Sequence, residues 1–310
     1  MYAINIENLH KSYGANKVLN GINLSVSGGE FYALMGPNGS GKTTLSSIIA
    51  SVATFDSGTL EIFGKKPEQA KRLIGYVPQD NFSSLLLTGR ENLTYFAGLL
   101  GYSGNGTHHM VEEMLNKIGL APDADKRVSH YSGGMRKKLE AATALFPGIR
   151  ILILDEPTTG LDPRARRDFF SLIQGIKDEN TSIFLITHIG TDAELATRVG
   201  LIDKGKIIAE DTPDALKAAY TAEDAITIDT SVRNERAAAL IKGFSSERKI
   251  FETETGYRIY APDGGQVVPK VARTLDQAGY RVTRTEVTKP TLEDVFFKLT
   301  DRTMQEVNNK

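Results

Sequence analysis

Cysteine is absent from this chain of 310 residues, and the charges nearly cancel to a formal net charge of −1. Without cysteine there are no disulfide bonds and no thiolate metal sites, which is compatible with a reducing compartment. The balanced charge gives no overall electrostatic reason to expect a nucleic acid or an anionic membrane surface as the main partner. Hydrophobic and charged contents of 40% and 24% are ordinary for a folded protein and argue against disorder.

Long apolar runs are also missing. The longest, such as Ile151–Leu154 and Ile183–Ile186, have the length of a strand, far below the roughly 20 residues that a transmembrane helix needs. The first residues, Met1 to Lys11, alternate apolar and polar as in a strand and lack the regions of a signal peptide. We therefore expect a protein that does not cross a membrane by itself and whose default location is the cytosol.

Residues 2 to about 220 alternate short β-rich runs with helical patterns, which indicates an α/β domain with a parallel or mixed sheet. Between residues 83 and 146 the strands stop and helical spacing dominates, and Thr88 with Glu91 forms a capping-box pattern. A helical insert is therefore expected there. Glycines then predict a loop that includes His108 and His109, a pair without further metal ligands around it. The predicted strands are Phe31–Met35, Arg72–Val77, Ile151–Leu154, Ile183–Thr187 and Arg198–Asp203.

From residue 225 onward the order becomes β-α-β-β-α-β, which predicts a small α+β, ferredoxin-like domain. A last helix after Thr291 has an apolar face too wide to stay exposed, so it should dock on this domain, on the first domain or on a second protomer. We thus predict domains over residues 1–220 and 225–310. The predicted elements are Ala225–Thr230, Asn234–Phe244, Lys249–Thr253, Tyr257–Tyr260, Gln266–Ala278 and Arg281–Val287. Their core candidates are Ile226, Ile228, Ile250, Ile259, Val282, Ala239, Leu240, Val271 and Leu275.

A glycine-rich turn follows strand Phe31–Met35 and runs directly into a helical pattern, which is the context that a P-loop requires. Backbone N–H groups and the helix dipole would hold phosphate oxygens, Lys42 would reach the β- and γ-phosphates, and the Thr43 hydroxyl would bind Mg²⁺. A glycine turn without function is the alternative, and the strand and helix around the motif disfavour it. The predicted loop consists of Gly36, Pro37, Asn38, Gly39, Ser40, Gly41, Lys42 and Thr43.

Two further motifs narrow the chemistry. A buried strand ends in Asp155-Glu156, so that Asp155 can face a magnesium ion and Glu156 can deprotonate an attacking water. Alone, such an acidic pair is as consistent with the cap of a turn as with a catalytic site. Ser132-Gly133-Gly134 opens a helix whose first turn carries cations, which are unfavourable at the positive end of the helix dipole. Departures of this kind from a local rule are typical of functional sites. By itself it is an ordinary N-cap; with its neighbours it predicts a second phosphate-binding edge.

In this order the motifs resemble those of the ATP-binding cassette subunits of ABC transporters, over residues 3 to 220. The resemblance implies ATP and Mg²⁺ as ligands and a P-loop NTPase cassette fold. Tyr13 would be the aromatic residue that stacks on adenine, Gly36–Thr44 would be Walker A, with Thr44 as its last residue, and Gln79 would be the Q-loop glutamine. The signature core would be Ser132, Gly133 and Gly134. Walker B would end in Asp155, followed by the catalytic glutamate Glu156, the D-loop Leu161 and Asp162, and the switch histidine His188. Lys42, Gln79, Glu156 and His188 would serve catalysis, and Thr43, Gln79 and Asp155 would hold the metal. Tyr131 stands where the family usually has leucine.

The resemblance further implies a head-to-tail pair of cassettes, identical or not, with two composite sites, and a separate transmembrane permease subunit that contacts the helical insert. The basic run after the signature and the segment Pro290–Thr300 resemble ABC-2-type drug-resistance exporters, working at the cytoplasmic face of the membrane without nucleic acid. An importer is the first alternative. A soluble cassette ATPase acting on ribosomes or DNA is another, disfavoured by the single cassette and the lack of heptads and a basic tail. A P-loop kinase or GTPase is disfavoured by the Ser-Gly-Gly helix and His188.

Overall fold

The computed structural model describes residues 1–176, 180–221 and 223–300. These form two compact units, one over residues 1–212 and the other from residue 213 onward. Helix Pro213–Tyr220 belongs to the second unit, whereas the sequence pattern placed it in the first domain. The physical reason is packing, because this helix lies against the last helix, Leu292–Thr300. Residues 301–310 of the expected accessory domain lie outside the described residues.

Both units contain strands and helices. The strands are β1 Tyr2–Tyr13, β2 Asn16–Ser27, β3 Phe31–Met35, β4 Ser57–Ile62, β5 Ile74–Val77, β6 Ile151–Asp155, β7 Ser182–Thr187, β8 Arg198–Asp203, β9 Lys206–Asp211, β10 Asp224–Thr230, β11 Phe251–Glu252, β12 Gly256–Ala261 and β13 Val282–Thr288. The helices are α1 Lys42–Ile49, α2 Pro67–Ala70, α3 Gly89–Leu99, α4 Asn105–Lys117, α5 Gly133–Thr143, α6 Pro163–Ile176, α7 Gly190–Ala193, α8 Pro213–Tyr220, α9 Glu235–Lys242, α10 Gly264–Gln277 and α11 Leu292–Thr300. Within the described ranges, no helix combines the length and the apolar character needed to span a bilayer.

The central sheet of the first unit has the strand order β5-β6-β7-β3-β8-β9. Its pairs are parallel except for β8 with β9, and β3, β6 and β7 are buried along their whole length. Complete burial is the pattern of parallel strands that are covered on both faces. A smaller antiparallel sheet, β2-β1-β4, completes the unit. The mixed α/β class is therefore confirmed, and the carboxyl ends of β3, β5, β6 and β7 bring the segments that follow them to one edge.

The predicted strands of this sheet are found with small changes. Phe31–Met35 and Arg198–Asp203 agree with the structure, β6 continues to Asp155, and β7 begins one residue earlier, at Ser182. The strand predicted from Arg72 begins only at Ile74, because a short 3₁₀ turn occupies residues 71–73. The change at Asp155 matters for function, since this carboxylate lies on the strand itself.

The helical insert comprises α3, α4 and α5. Its predicted capping box is confirmed: the Glu91 N–H donates to Thr88 Oγ1 at 3.1 Å, and the Thr88 N–H donates to Glu91 Oε2 at 2.8 Å. The predicted loop through the histidine pair is wrong, because α4 already begins at Asn105. His109 lies on the exposed side of α4, 3.4 Å from Glu113. The insert packs around one apolar cluster that includes Leu93, Val111, Leu115, Leu139 and Phe146.

The second unit has the predicted order β-α-β-β-α-β and an antiparallel sheet, β11-β12-β10-β13. Its core contains the predicted Ile226, Ile228, Ile259, Val271 and Leu275, with Ile250, Leu240 and Val282 packed against it. The predicted burial of Ala239 is wrong: this residue is exposed, and the buried face of α9 is Ala237 with Ile241, one helical turn apart.

Helix α11 docks on its own unit, which is one of the three surfaces that the sequence left open. Its apolar face includes Leu292, Val295 and Phe296, all fully buried, while Leu299 is half-buried. The Tyr260 hydroxyl donates to Asp294 Oδ1 at 2.5 Å, and the Thr291 N–H donates to the same carboxylate at 2.8 Å. The helix is thus held by packing and by a buried, fully engaged carboxylate.

Candidate nucleotide site

The loop between β3 and α1 closes around a buried cation. Lys42 is 4% exposed, and its Nζ donates to the carbonyl oxygens of Gly36 at 2.8 Å and of Pro37 at 2.9 Å. Gly41 has a φ of 105°, and a Cβ there would lie 2.8 Å from Leu19 Cδ2, so only glycine fits. The loop therefore has the shape of an anion cradle whose floor is the Lys42 ammonium.

The remaining residues of the loop differ in their burial. Asn38 and Gly39 are exposed at the tip, while Ser40 is buried and its hydroxyl has no hydrogen-bond partner among the described residues. A buried hydroxyl without a partner is costly unless a ligand meets it. Thr43 and Thr44 lie in the first turn of α1, the first exposed and the second half-buried. The Ser40 hydroxyl is thus available as a hydrogen-bond donor where the P-loop prediction places phosphate.

The two acidic residues after the buried strand face different partners. Asp155 is fully buried and accepts hydrogen bonds from Ser46 Oγ at 2.9 Å and Thr43 Oγ1 at 3.3 Å. Glu156 has a φ of 47°, in the left-handed region that side chains rarely adopt. Because successive strand residues normally point to opposite faces, this turn of the backbone lets both carboxylates face the P-loop. Such a conformation costs about 1–3 kcal/mol and is concentrated at functional sites.

Four side chains converge on the Glu156 carboxylate. Lys42 Nζ lies 3.6 Å and His188 Nδ1 3.2 Å from Oε1. On the other oxygen, Gln79 Nε2 and Thr159 Oγ1 each donate to Oε2 at 3.3 Å. The structure thus joins Lys42, Gln79, Glu156 and His188, the four predicted catalytic residues, in one contact network.

Burial and charge shift the ionisation of this network in opposite directions. Burial raises the pKa of Asp155, and it lowers the pKa of Lys42 although both neighbouring carboxylates oppose that shift. Burial also acts to raise the pKa of Glu156, but the contact with His188 and the Lys42 charge outweigh it and leave this pKa below its usual value. Glu156 is therefore ionised at neutral pH, which is the form that a general base needs.

A magnesium ion fits the oxygen atoms that face the loop. Mg²⁺ prefers hard oxygen ligands and is usually bound by one or two carboxylates together with substrate phosphates. The buried Asp155 carboxylate and the Thr43 hydroxyl offer such oxygens side by side. No group of three or more acidic or histidine residues within the described ranges is arranged to hold a metal alone. The predicted ligand Gln79 turns its amide nitrogen to Glu156, so its part in binding metal stays a prediction.

The signature residues form a second, outward-facing edge. Ser132 caps α5 by accepting the Met135 N–H at 3.2 Å. Ser132 and Gly133 are exposed and Gly134 is half-buried. Beside the two glycines, atoms of Leu161 and Ala165 lie where a Cβ would make ordinary contact. This helix start therefore presents the positive end of a helix dipole to the surface.

Two residues predicted to bind the nucleotide, Asp162 and Tyr13, are not part of the contact network around Glu156. Asp162 caps α6, accepting the backbone N–H groups of Ala165 at 3.0 Å and Arg164 at 2.9 Å, and these bonds hold its pKa below the usual value. Tyr13 ends β1, half exposed, with Lys11 Nζ 5.0 Å from its ring centre. Their roles in nucleotide binding remain predictions.

The unusual Tyr131 before the signature has its own pocket. Its hydroxyl donates to the Asp123 carbonyl at 2.8 Å, and a Cβ on Gly89 would lie 2.2 Å from that hydroxyl. Glycine at the first position of α3 therefore makes room for the phenol ring. The departure from leucine is accommodated inside the insert, and the Ser132 cap is retained.

We expect Tyr131→Phe to lower the free energy of unfolding by about 1 kcal/mol, the net value of one hydrogen bond. Gly89→Ala should cost more, because the added methyl group meets the Tyr131 hydroxyl. In the double variant the hydroxyl is gone, so the loss should be smaller than the sum of the two. Urea denaturation followed by circular dichroism measures all three. Additive losses would show that Gly89 and Tyr131 do not share this space.

Several residues of the site were missed from the sequence. Ser46 binds Asp155 and lies one helical turn after Thr43, a spacing that could have revealed it. Thr158 donates to the buried Asp192, which has no local signal. Glu140 is fully buried on the signature helix α5, and its trace in the sequence is the run of cations before it.

Two family models match this sequence. One, described as ABC transporter, matches residues 19–159, and the other, described as ATP-binding protein DrrA1-3-like, C-terminal domain, matches residues 212–300. Among similar proteins is the daunorubicin resistance ATP-binding protein DrrA2 of Streptomyces coeruleorubidus, 35% identical across 96% of this chain and 95% of that protein. The linearmycin resistance ATP-binding protein LnrL of Bacillus subtilis (strain 168) is 30% identical, across 97% and 99%. The Nod factor export ATP-binding protein I of Paraburkholderia xenovorans (strain LB400) is 36% identical, across 98% and 99%.

Solved structures match the chain over about the length of its first unit. A dimeric post-hydrolysis state of the ATP-binding cassette MJ0796, bound to ADP and Pi, has a TM-score of 0.62 at 25% identity and covers 67% of this chain and 98% of that one. The structure of cbiO1 from Clostridium perfringens, part of the ABC transporter complex cbiONQ, has a TM-score of 0.64 at 26% identity and covers 70% and 91%.

Proposed function

Because this chain belongs to the family of ABC transporter ATP-binding proteins and is an ATPase of that family, we propose that it powers an exporter through the ATP-driven pairing of two cassettes. The observation that carries the proposal is the convergence of Lys42, Gln79 and His188 on the ionised Glu156. This arrangement suits the hydrolysis of a phosphoanhydride at the P-loop.

Each residue of the network has a role in that reaction. Lys42 and the loop N–H groups bind the phosphate oxygens, and Glu156 accepts a proton from the attacking water. Gln79 and His188 orient the Glu156 carboxylate, and both lie where they can contact the γ-phosphate or the attacking water. Asp155 and Thr43 would hold Mg²⁺, which supplies charge neutralisation for the phosphates when it is bound.

The composite site needs a second cassette. Ser132 and Gly133 are exposed, while Lys42 and Glu156 are buried in the same chain. A phosphate-binding edge that faces outward suits a nucleotide held by another protomer. The dimeric state of the similar cassette MJ0796 supports this arrangement. The partner is a second copy of this chain or a homologous cassette.

We expect the Glu156→Gln variant to be monomeric without nucleotide and dimeric with ATP, because slow hydrolysis preserves the ligand that completes the interface. Adding Ser132→Arg should prevent the dimer by placing a bulky charge on the signature edge. Ser103→Arg, in the exposed loop before α4, is the matched control and should leave the dimer intact. Light scattering at micromolar concentration measures the mass. An unchanged mass with ATP would contradict the pairing of this chain with itself.

Export is supported by the relatives, and a permease partner is supported by exposed apolar side chains of the insert. The similar proteins are named for resistance to daunorubicin and linearmycin and for Nod factor export. Large apolar side chains are exposed on α3 and directly before and after it: Leu85, Leu86, Tyr95, Leu99 and Leu100. A surface of this kind suits a protein partner. We propose that it contacts a separate transmembrane permease, which places the chain at the cytoplasmic face of the membrane.

The export role is tested in cells that lack the chromosomal gene. Loss of the gene should raise the accumulation of an amphipathic compound such as daunorubicin or linearmycin, and the wild-type chain should restore efflux. The Lys42→Ala chain, produced at the same level, should not restore it. Efflux that is unchanged by deletion across such a compound panel, or equal rescue by Lys42→Ala, would contradict ATP-driven export by this chain.

We propose that the second unit is an accessory domain without a catalytic step. Its polar clusters serve the fold, as with Asp294, which binds Tyr260, Arg258 and Thr291. The division into residues 1–212 and 213 onward supports this separation of roles.

A further inference from the structure

A buried carboxylate in the signature helix holds the segment that follows Gln79. Glu140 is fully buried, and its Oε1 accepts the backbone N–H groups of Phe82 and Ser83, both at 3.2 Å, and the Ser83 hydroxyl at 2.7 Å. A buried carboxylate with this many donors is a fixed anchor, since the loss of any partner leaves charge or polar groups unpaired. The anchor joins α5 to a segment that is more than 50 residues away in sequence.

The cations of the first turn of α5 complete this anchor. Arg136 Nε lies 3.2 Å from Glu140 Oε1 and donates to Ser83 Oγ at 2.8 Å, while another guanidinium N–H donates to the Ser83 carbonyl. Lys137 Nζ lies 3.7 Å from Glu140 Oε2 and donates to the Gln79 carbonyl at 3.2 Å. Their unfavourable position in the helix dipole is therefore offset by Glu140 and by backbone carbonyls.

Helix α3 holds the same segment from another side. Asn92 is almost fully buried, and it accepts the Ser84 N–H at 2.8 Å and donates to the Ser84 carbonyl at 3.1 Å. Residues 79–84 thus contact Glu156 at one end, through the Gln79 side chain, and two helices of the insert at the other. The backbone of this segment is therefore held at the Gln79 carbonyl by Lys137 and at residues 82–84 by Glu140 and Asn92.

We propose that Glu140 is a positioning residue, which with Arg136 fixes the Gln79 segment to the signature helix so that Gln79 meets Glu156 in the hydrolytic geometry. The inference rests on the role proposed above for Gln79. Glu140 itself touches neither Glu156 nor the P-loop in the described contacts, and it acts through the Phe82 and Ser83 backbone. The signature edge and the γ-phosphate contact then move as one body.

The expected effect is on turnover rather than on ATP binding. A catalytic group that is misplaced by about 1 Å can lose about 10²-fold in rate. Glu140→Gln keeps the length and one acceptor oxygen but removes the charge that balances Arg136 and Lys137. We expect kcat to fall about 10- to 100-fold, with KM for ATP changed less than about threefold, because Lys42 and the loop are untouched.

The experiment measures steady-state ATPase kinetics of the full chain for Glu140→Gln, Arg136→Gln and Gln79→Ala. The matched control is Asp125→Asn, which removes an exposed carboxylate that pairs with Arg90 elsewhere on the insert. Hydrogen exchange of the Phe82 and Ser83 amides is followed in each variant, with the amides of α1 as an internal reference. Arg136→Gln serves as the second variant if Glu140→Gln does not fold.

Faster exchange at Phe82 and Ser83 together with a lower kcat and an unchanged KM supports the inference. Faster exchange with wild-type kcat overturns it, because Glu140 then serves only the fold. Unchanged exchange overturns it as well. Should Gln79→Ala also keep wild-type kcat, the role proposed for Gln79 fails, whereas a slow Gln79→Ala beside a fast Glu140→Gln rejects the positioning role alone.

Discussion

Glu156→Gln is expected to slow ATP hydrolysis about 10²–10⁴-fold while ATP still binds, which is the usual contribution of a general base. This range corresponds to roughly 3–5 kcal/mol of barrier. The amide keeps the shape that fits between Lys42, His188 and Gln79, but it cannot accept the proton of the attacking water. Removing a negative charge next to the phosphates should, if anything, tighten ATP binding.

Phosphate release measured at saturating ATP gives kcat, and a fluorescent ATP analogue gives the affinity. Glu61→Gln removes an exposed carboxylate on β4 and is the matched control, with turnover near that of the wild type. Near-normal turnover in Glu156→Gln would exclude this residue as the base and leave the convergence of side chains on it without a catalytic meaning.

Lys42→Ala is expected to weaken ATP binding about 100-fold. A hydrogen bond to a charged group contributes about 1.5–3 kcal/mol, and about 1.4 kcal/mol corresponds to a factor of ten in Kd. A second effect adds to this loss, because Glu156 would face the triphosphate without the cation that lies 3.6 Å away. Like charges brought together in a buried site repel strongly.

The double variant Lys42→Ala/Glu156→Gln separates the two effects. If repulsion contributes, the double variant should bind ATP more tightly than Lys42→Ala alone. Lys65→Ala, an exposed lysine after β4, controls for the loss of a positive charge. Titration calorimetry gives the affinities, and thermal unfolding confirms that each variant is folded. Unchanged affinity in Lys42→Ala would contradict the phosphate-binding role of the loop.

The elements that sequence reasoning predicted well depend on local rules. The P-loop was predictable because a strand, a glycine turn and a helix follow each other without interruption, and the structure has Lys42 at the first position of α1. The capping box of Thr88 and Glu91 is equally local. The order β-α-β-β-α-β followed from apolar periodicity, which also determines the buried faces of β10 and β12.

The errors arose where distant packing decides. Helix α8 directly follows the strands of the first unit in sequence, yet it packs against α11, near the end of the described residues. Ala239 was assigned to a core face that Ala237 and Ile241 occupy, because small apolar residues surround the position and the sequence does not say which side meets the sheet. The loop predicted around His108 is helix, since side chains of the insert's core stabilise α4 although it contains Gly106.

The amino-acid sequence by itself determined the chemistry available to this protein: the phosphate loop, the acidic pair, the Ser-Gly-Gly helix start and the order in which they follow the strands. Only the tertiary structure decided how these groups meet. The bond from Ser46 to Asp155 spans 109 residues, and the left-handed backbone at Glu156 turns its carboxylate toward Lys42. Glu140, on the signature helix, accepts the amides of Phe82 and Ser83 in the segment after Gln79. Local periodicity in the sequence indicates which face of an element is apolar. The pairing of buried polar groups depends on which distant elements share a core, and this is decided only in the folded chain.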